Sequence, residues 1–430
     1  MVTGLHSIMY HSIDHCRICS GTDLTVVLDL GEMALTGVFP KSESIEVAAA
    51  PLVLVQCQEC GLVQLRESFD LNLLYGETYG YRSGLNRSMV RHLEDTVGGI
   101  EAFIPDLGAG DLVVDIGSND GTLLGCYRTG GLRRVGIDPL GTKFSRYYRP
   151  GIELVPEFFS ADALRKCVGD QKAKVVTSIA MFYDLERPID FARQVAEALD
   201  DQGIWVLEQS YLTSMLSANS YDTICHEHLE YYGVKQIAFL VEQCGLKIVG
   251  LDFNDSNGGS FRVTVAKAAS RWRAVEDMVQ KAIARELQLG LGTAAPFIKL
   301  QTAMKVHRER LRGLLQELRA QGKTVLGYGA STKGNVLLQY CSIDRTLLPA
   351  IADVNEEKFG SFTPGSRIPI LSEGNAKAMA PDYFVVLPWH FRNGIVDREK
   401  QFLSDGGTLV FPLPELELVS AERLVDSNVS

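Results

Sequence analysis

Val113-Val-Asp-Ile-Gly-Ser-Asn-Asp-Gly121 predicts a strand, a glycine-bearing turn and the start of a helix. Gly117 lets the backbone approach a ligand closely, and the N–H groups at a helix start are free to bind one. Gly117 and Gly121 lack the three-glycine spacing of a dinucleotide fingerprint, which disfavours a nicotinamide pyrophosphate. The stretch therefore indicates either a cofactor that has no phosphate to cradle or a plain strand-to-helix turn.

The surrounding sequence alternates strand and helix signals. Strand-like runs occur at Leu112–Ile116, Arg134–Asp138, Lys174–Ile179 and Ile204–Glu208, which predicts a parallel sheet of βα units. The pattern then changes, because Leu246–Phe253 and Ser260–Ala266 are joined only by the short, Asn/Gly-rich Asn254–Gly259. Such a connection predicts an antiparallel hairpin. A parallel sheet closed by a hairpin is typical of the Rossmann-like methyltransferases.

An acidic residue, Asp138, ends the second of these strands. A carboxylate at this position can accept hydrogen bonds from both ribose hydroxyls of an adenosyl group. S-adenosylmethionine (SAM), which carries an adenosyl group and no phosphate, is the cofactor that fits. The residues assigned to the cofactor site are Asp115, Gly117, Ser118, Asn119, Asp138 and Phe158.

The composition of the 430-residue chain is that of a globular protein, with 46% apolar and 22% charged residues. This length predicts two or three domains. The formal net charge of −11 argues against a nucleic-acid binder, and no apolar run approaches the roughly 18 residues that span a bilayer. Met1–His15 has neither the basic start nor the apolar core of a signal peptide, so we expect a cytoplasmic protein. The sequence does not indicate an oligomeric state.

The first segment, to about residue 75, is predicted to be loop-rich, and it holds four of the nine cysteines. Cys16 and Cys19 form one CxxC pair, and Cys57 and Cys60 form another. Two such pairs complete a tetrahedral zinc site, and four thiolate ligands leave no open position, so the zinc is expected to be structural. Four buried cysteines without metal, or a redox role for one pair, are the alternatives.

A histidine-rich turn lies within Ser220–Tyr232, where a loop facing the substrate is expected after the fourth strand. Near neutral pH a histidine can take a proton from a carbon beside a carbonyl, and a neighbouring carboxylate can raise its basicity. We therefore assign catalytic roles to Tyr221, His226, Glu227 and His228. Metal binding by the two histidines and ordinary structural hydrogen bonding are the alternatives.

A second α/β pattern follows a helical stretch over residues 272–321 that is interrupted near Gly290–Pro296. Its strand-like runs are Thr324–Tyr328, Leu348–Asp353, Tyr383–Leu387 and Thr408–Pro412. Gly327–Gly334 is similar to a dinucleotide turn, but Thr332 occupies the third glycine position, so the indication of NAD is weak. Lys333 and the nearby backbone instead suit a substrate diphosphate, and a purely structural repeat is the alternative.

In their order along the chain, these motifs resemble the SAM-dependent sugar C-methyltransferases of deoxysugar biosynthesis. The resemblance runs nearly end to end, through both CxxC pairs, the loop at Gly117–Gly121, Tyr221–His228, Gly258–Arg262, Gly327–Asn335 and the Trp389 region. It implies an α/β protein with a small zinc-binding domain built on the four cysteines (1–75) and a central Rossmann-like class I SAM methyltransferase domain (76–270). A helical linker (271–322) then leads to a C-terminal Rossmann-like domain that helps to bind a nucleotide sugar (323–430).

The resemblance also implies the chemistry. The substrate would be a nucleoside-diphosphate 4-keto-deoxysugar, and His228 would be the general base that removes a proton beside the ketone, usually at C3. The resulting enolate would attack the methyl group of SAM, without any part played by the zinc. The residues assigned to substrate binding are Tyr79, Tyr81, Ser83, Arg262, Lys333 and Asn335.

This sequence departs from the family at two positions associated with the catalytic pocket. Cys225 occupies the place of a common tyrosine before the His-Glu-His triplet, and Met181 aligns with a common histidine. These departures leave the sugar, the methylated atom and the stereochemistry open. O- or N-methylation of a sugar nucleotide or a related metabolite is one alternative function. A non-catalytic, zinc-containing sensor of a nucleotide sugar or of SAM is another, which the intact histidine-rich turn disfavours.

Overall fold

The computed structural model describes residues 10–70, 74 and 81–422, so Tyr79 lies outside the described residues. The N-terminal segment contains the strands β1 (Tyr10–Ser12), β2 (Leu24–Ala34), β3 (Ala49–Cys57), β4 (Val63–Leu65) and β5 (Glu67–Phe69). β2, β3 and β4 pair antiparallel in that order, and β1 pairs with β5. The prediction of a loop-rich segment is therefore wrong for much of its length.

The central segment forms a seven-stranded sheet in the order β12-β13-β10-β9-β6-β7-β8. Its elements are α1 (Arg87–Phe103), β6 (Leu112–Ile116), β7 (Arg133–Ile137), α2 (Gly141–Phe144), β8 (Ile152–Val155), α3 (Ala161–Val168), β9 (Ala173–Ile179), α4 (Pro188–Ala198), β10 (Leu199–Ser210), α5 (Leu212–Ser217), β11 (Glu230–Tyr231), α6 (Val234–Gln243), β12 (Leu246–Asn254) and β13 (Ser260–Lys267). β13 runs antiparallel to β10 and β12, which confirms the hairpin and the class I methyltransferase fold.

The central strand β6 explains how Val113–Gly121 folds. All five of its residues are buried, as expected for a parallel strand covered on both faces. The helix expected after Gly121 is wrong, because turns and a short 3-10 helix, Leu124–Cys126, follow the loop instead. The backbone N–H groups of the loop therefore come from tight turns rather than from the end of an α-helix.

Two helices, α7 (Glu276–Gln288) and α8 (Ala295–Ala320), lead to a six-stranded sheet in the order β16-β15-β14-β17-β18-β19. Its elements are β14 (Val325–Tyr328), α9 (Thr332–Tyr340), β15 (Ile351–Asp353), β16 (Ile370–Ser372), α10 (Glu373–Lys377), β17 (Tyr383–Val386), α11 (Arg392–Arg398), α12 (Lys400–Ser404), β18 (Thr408–Phe411) and β19 (Glu417–Val419). β19 is antiparallel to β18 and the other pairs are parallel, which confirms a Rossmann-like C-terminal domain.

The three larger sheets share buried cores. One apolar cluster joins the N-terminal sheet, α8 and the C-terminal sheet, whereas another joins Cys16 and Cys57 to the central sheet. β11, from the central segment, pairs antiparallel with β4 of the N-terminal sheet. The domain boundaries at residues 75, 270 and 322 stay predictions, since packing crosses each of them. Within the described ranges, no helix combines the length and the apolar character needed to cross a membrane.

Candidate active site

The four cysteines of the CxxC pairs come together as predicted. Their Sγ atoms all lie within 4.8 Å of one another, with 3.6 Å between Cys16 and Cys60 and 3.5 Å between Cys19 and Cys57. Thiolates that bind one zinc tetrahedrally at about 2.3 Å lie roughly 3.8 Å apart, so this arrangement fits the ion. Gly61, after the second pair, has a φ of 82°, the left-handed conformation that the tight turn requires.

The zinc site is joined to the central segment by polar and apolar contacts. Gln236 of α6 donates a hydrogen bond from Nε2 to the Cys60 carbonyl oxygen at 3.0 Å. Cys16 and Cys57 lie in the same apolar core as Tyr232 and Val234, which flank the start of α6. The metal-binding knuckles therefore support one side of the segment that carries the histidine-rich turn.

The predicted cofactor loop, Gly117–Gly121, turns sharply at its first residue. Gly117 has a φ of 71°. The Gly117 N–H donates to the Ile137 carbonyl at 2.8 Å, so the loop is fixed against the neighbouring strand. A Cβ atom at Gly117 would lie 3.0 Å from Cγ of Met181. Met181 therefore packs directly over the loop, and the backbone there has no room for a side chain.

Asp138 lies at the carboxyl end of β7, beside this loop. Its Oδ2 atom accepts the Asn119 N–H at 2.8 Å, and its Oδ1 atom accepts the Leu140 N–H at 2.7 Å. Burial raises the pKa of the carboxyl group, and these two hydrogen bonds oppose the shift by favouring the charged form. Each oxygen retains a second lone pair, so the carboxylate can still accept hydrogen bonds from a ribose.

The other residues assigned to the cofactor occupy different environments. Asp115 is buried under the loop, where its Oδ1 atom accepts the Thr177 hydroxyl at 2.5 Å, and burial raises its pKa to about 7. The Ser118 hydroxyl bonds to the Tyr148 hydroxyl at 2.7 Å. Phe158 follows β8 and is 49% exposed. These three assignments stay predictions.

The segment Tyr81–Gly84 crosses the cofactor loop. The Asn119 side chain accepts the Ser83 N–H at 3.0 Å and donates to the Tyr81 carbonyl at 3.2 Å. The Gly84 N–H donates to the Asp120 carboxylate at 2.9 Å. Tyr81 and Ser83, which the sequence assigned to the substrate, are thus placed beside the cofactor loop.

His228 is the most accessible member of the histidine-rich turn. Every other residue from Tyr221 to Tyr232 is buried, whereas His228 is partly exposed. Its Nδ1 atom lies 2.8 Å from the Thr223 carbonyl oxygen, which can only accept, so Nδ1 carries the proton. In the neutral ring Nε2 then keeps its lone pair. The Tyr183 ring packs edge-on against the imidazole, with 4.4 Å between the centroids.

The structure separates the other two titratable groups of the triplet from His228. His226 is fully buried against the N-terminal strands, with its ring edge-on to Phe69 and Nε2 3.3 Å from the Ala50 carbonyl oxygen. Glu227 is buried too, and it accepts a hydrogen bond from the Thr36 hydroxyl at 3.3 Å. Burial raises the pKa of Glu227 and lowers that of His226 to about 4. Both side chains contact the N-terminal segment.

The Tyr221 hydroxyl is directed to residues of the C-terminal half of the chain. Tyr221 is fully buried, and its hydroxyl is 2.8 Å from Nδ1 of His307 and 3.3 Å from Sγ of Cys341. His307 in turn bonds to the Pro412 carbonyl at 2.7 Å. This network joins the turn to α8 and to the C-terminal sheet, so the structure gives Tyr221 a position that holds domains together.

Two residues assigned to the substrate, Arg262 and Asn335, bond to protein groups in this structure, and their substrate roles stay predictions. The Arg262 guanidinium pairs with the buried Glu208 carboxylate at 2.7 Å and donates to the Thr96 hydroxyl at 2.6 Å. Asn335 is fully buried in α9, and its Nδ2 atom donates to the Thr36 carbonyl oxygen at 2.7 Å. In these positions the two side chains stabilise the sheet and the contact between domains.

Lys333 lies where the C-terminal segment meets the histidine-rich turn. Its Nζ atom donates to the carbonyl oxygen of Asn257, in the hairpin turn, at 2.9 Å. Nearby, the Trp389 indole N–H donates to Oδ2 of the buried Asp222 at 2.8 Å. Asp222 was not among the residues singled out from the sequence, because its partner Trp389 is 167 positions away.

The loop after β14 in the C-terminal sheet has the same construction as the cofactor loop. Asp353, at the end of β15, accepts the Ala330 N–H and the Asn355 N–H, each at 2.7 Å. Asp138 accepts two backbone N–H groups in the same way. Gly329 has a φ of 79° and donates to the neighbouring strand at 2.7 Å. The carboxyl edges of both sheets thus present a glycine turn beside a carboxylate.

Comparisons with known proteins account for this architecture. Models of the "Putative zinc binding domain", the "Methyltransferase domain" and the "C-methyltransferase C-terminal domain" match residues 16–75, 89–251 and 255–414. C-methyltransferase NovU of Streptomyces niveus is 32% identical over 420 residues, which cover 95% of this chain and 98% of NovU. The chain belongs to this C-methyltransferase family.

Solved structures align with parts of this C-methyltransferase. The CcbJ methyltransferase from Streptomyces caelestis is 14% identical, with a TM-score of 0.32, and the match covers 41% of this chain and 90% of that one. An O-methyltransferase family protein from Burkholderia thailandensis is 16% identical, with a TM-score of 0.32, over 43% of this chain and 59% of that one. Neither match reaches half of this chain.

Family membership confirms the predicted enzyme class and the predicted cofactors. The protein is a SAM-dependent C-methyltransferase with a zinc site of four cysteines. When bound, SAM supplies an electrophilic methyl group carried on a sulfonium. The glycine turn and the Asp138 carboxylate fit that cofactor, because they offer close backbone approach and acceptors for a ribose but no phosphate cradle. The closed set of four thiolates makes the zinc a structural ion.

Proposed function

We propose that this enzyme methylates a carbon beside the ketone of a nucleoside-diphosphate 4-keto-deoxysugar, with His228 as the general base. One observation supports this most directly. His228 is the partly exposed residue of its turn, and its Nδ1–H group is held by the Thr223 carbonyl oxygen. A neutral imidazole fixed in this way presents the lone pair of Nε2 to a substrate.

The position of His228 relative to the cofactor loop supports the assignment. Met181 packs over Gly117 of the loop, and Tyr183, two residues further on, packs against His228. The base is therefore close to the place where the methyl donor is expected. A hydrogen on a carbon beside a ketone is weakly acidic, so the base needs a fixed geometry and the enolate needs nearby positive charge.

The C-terminal sheet is the proposed binding site for the nucleoside part of the substrate. Its glycine turn and Asp353 repeat the features of the cofactor loop, so the Asp353 carboxylate is available to accept hydrogen bonds from a second ribose. A substrate with its nucleoside at this sheet and its sugar at His228 would extend from the carboxyl edge of the C-terminal sheet to that of the central sheet. Methylation at C3, next to a C4 ketone, is the proposed position.

Wild-type enzyme incubated in D₂O with nucleoside-diphosphate 4-keto-deoxysugars tests this function. Without SAM, we expect deuterium to replace the hydrogen on the carbon beside the ketone, because proton removal precedes methyl transfer. With SAM, we expect a new carbon–carbon bond at that position, detected by NMR. Methyl transfer to an oxygen, without hydrogen exchange, would contradict the proposal.

We further propose that Asp138 binds the SAM ribose, and the two equivalent carboxylates allow a matched test. Asp138→Asn removes the charge and keeps one of the two acceptor oxygens for the loop. Loss of charge-assisted hydrogen bonds worth about 1.5–3 kcal/mol is expected to weaken SAM binding by about 10- to 100-fold. The measurement is calorimetric titration with SAM.

Asp353→Asn is the control, since Asp353 holds the corresponding loop of the other sheet. It is expected to leave the SAM affinity unchanged and to weaken binding of the nucleotide. Equal losses of SAM affinity in both variants would remove Asp138 from the role.

A further inference from the structure

Lys333 extends from the C-terminal segment towards the catalytic turn. It lies in the first turn of α9, which packs against the 3-10 turn Tyr221–Thr223. Its ammonium group donates to the Asn257 carbonyl oxygen at 2.9 Å. Asn257 has a φ of 55°, a left-handed conformation that the hairpin turn imposes. Lys333 thus occupies a fixed position between the two α/β segments.

The segment beside the ammonium group contains Asp222 and Thr223, and Thr223 is bonded to His228. Asp222 accepts hydrogen bonds from the Trp389 indole at 2.8 Å and from the Ser220 hydroxyl at 2.9 Å. The next residue, Thr223, supplies the carbonyl oxygen that holds the His228 ring. Lys333 and His228 are both partly exposed.

Four titratable groups interact electrostatically with Lys333. Lys333 lowers the pKa of His228 and of His390, in each case in addition to the effect of burial. Burial lowers the pKa of Lys333 itself, whereas Asp222 and Cys225 raise it. A fixed cation beside a general base disfavours protonation of that base, unless an anion forms near both groups during the reaction.

We propose that Lys333 is a catalytic residue whose ammonium group stabilises the enolate oxygen that forms when His228 removes the proton. This assignment rests on the proposed function, and it places Lys333 at the reacting end of the substrate rather than at the diphosphate. A preorganised positive charge acts most strongly where negative charge develops, in a site that is shielded from water.

The electrons and protons of the step balance. Nε2 of His228 accepts the proton, the C–H bonding pair becomes a carbon–carbon double bond, and the carbonyl π pair moves to the oxygen. Lys333 compensates the negative charge on that oxygen. In methyl transfer, the carbon–carbon double-bond pair would form the bond to the methyl group, and the oxygen pair would restore the carbonyl. The old sulfur–methyl pair would stay on sulfur, and His228 would release its proton to solvent.

Lys333→Ala tests the assignment by hydrogen exchange in D₂O without SAM. Removing one preorganised charge is expected to slow exchange by about 10²- to 10³-fold, with unchanged affinity for the free nucleoside diphosphate. Added ethylammonium is expected to restore part of the rate, because it returns a cation to the vacated space. The acid limb of the exchange rate is expected to move to higher pH, since the cation that lowers the pKa of His228 is gone.

Lys143→Ala is the control for a lost contact between domains. Lys143 of α2 forms an ion pair with Glu357 of the C-terminal segment at 3.1 Å. Neither residue belongs to the histidine-rich turn, so this variant is expected to exchange at the wild-type rate. Weaker binding of the nucleoside diphosphate by Lys333→Ala, with normal exchange at saturation, would overturn the assignment. So would slow exchange that ethylammonium does not restore. Absence of exchange in the wild-type enzyme would instead reject the proposed function itself.

Discussion

His228→Ala is expected to slow hydrogen exchange beside the substrate ketone by about 10²- to 10⁴-fold, the usual contribution of a positioned general base. The structure leaves Nε2 of His228 as the lone-pair nitrogen, because Nδ1 donates to the Thr223 carbonyl. The variant is expected to keep its affinity for SAM, since the His228 ring contacts Tyr183 rather than the glycine turn. NMR of the substrate in D₂O measures the exchange, and calorimetric titration measures SAM binding.

The pH dependence provides a second measure of the same base. Burial and the charge of Lys333 lower the pKa of His228 from 6.5 to about 3. A base with a lowered pKa stays neutral, and therefore active, as the pH falls through the ordinary histidine range. We expect the exchange rate at subsaturating substrate to remain level through pH 6.5 and to fall only at lower pH.

His226→Gln is the matched comparison, because His226 lies two residues away but faces the N-terminal strands. Glutamine keeps a donor for the Ala50 carbonyl oxygen, so this variant is expected to lose stability and retain exchange. Full exchange in His228→Ala would remove His228 from the role of base. Loss of exchange in folded His226→Gln would assign that role to His226.

The parts of the fold that were predictable depend on local patterns. The hydrophobic run of β6, the acidic residue that ends the next strand and the short connection at Asn254–Gly259 were all visible in the sequence. Each of these features is determined by neighbouring residues, and the structure confirms the parallel sheet and the closing hairpin. Both CxxC pairs were equally local, since two residues between ligands already allow both to reach one ion.

The direction of the side chains in the histidine-rich turn was not predictable. Tyr221, His226 and His228 lie within eight consecutive residues, yet Tyr221 faces α8, His226 faces β3 and His228 contacts Tyr183. These directions depend on which distant segments cover the turn, and local sequence carries no signal for that. The pairing of Asp222 with Trp389 has the same cause.

Short strands and the N-terminal sheet were missed for a different reason. β8, β16 and β19 contain three or four residues each, too few to show a clear periodicity. β2 is long, but its burial is irregular, because the pairing register with β3 shifts in two places. Those shifts interrupt the alternation that indicates a strand.

Cys57→Ser is expected to abolish zinc binding and to unfold the N-terminal segment. Structural zinc sites contribute about 10–16 kcal/mol of apparent binding free energy, which is comparable to the whole stability of a typical domain, about 5–15 kcal/mol. Cys57 is fully buried at the end of β3, so the variant would also place an unpaired hydroxyl in an apolar core. Metal analysis by mass spectrometry and the thermal midpoint measure the two effects.

The loss is expected to reach the catalytic turn as well as the zinc site. β11, just after His228, pairs with β4, and His226 bonds to β3. When the N-terminal sheet loosens, the turn loses the surface that orients it, so hydrogen exchange beside the ketone should fall together with zinc content. Cys167→Ser, at a partly exposed cysteine outside the metal group, is the control and is expected to retain zinc, stability and exchange. A zinc-free Cys57→Ser protein with the wild-type thermal midpoint would show that the metal has no structural role.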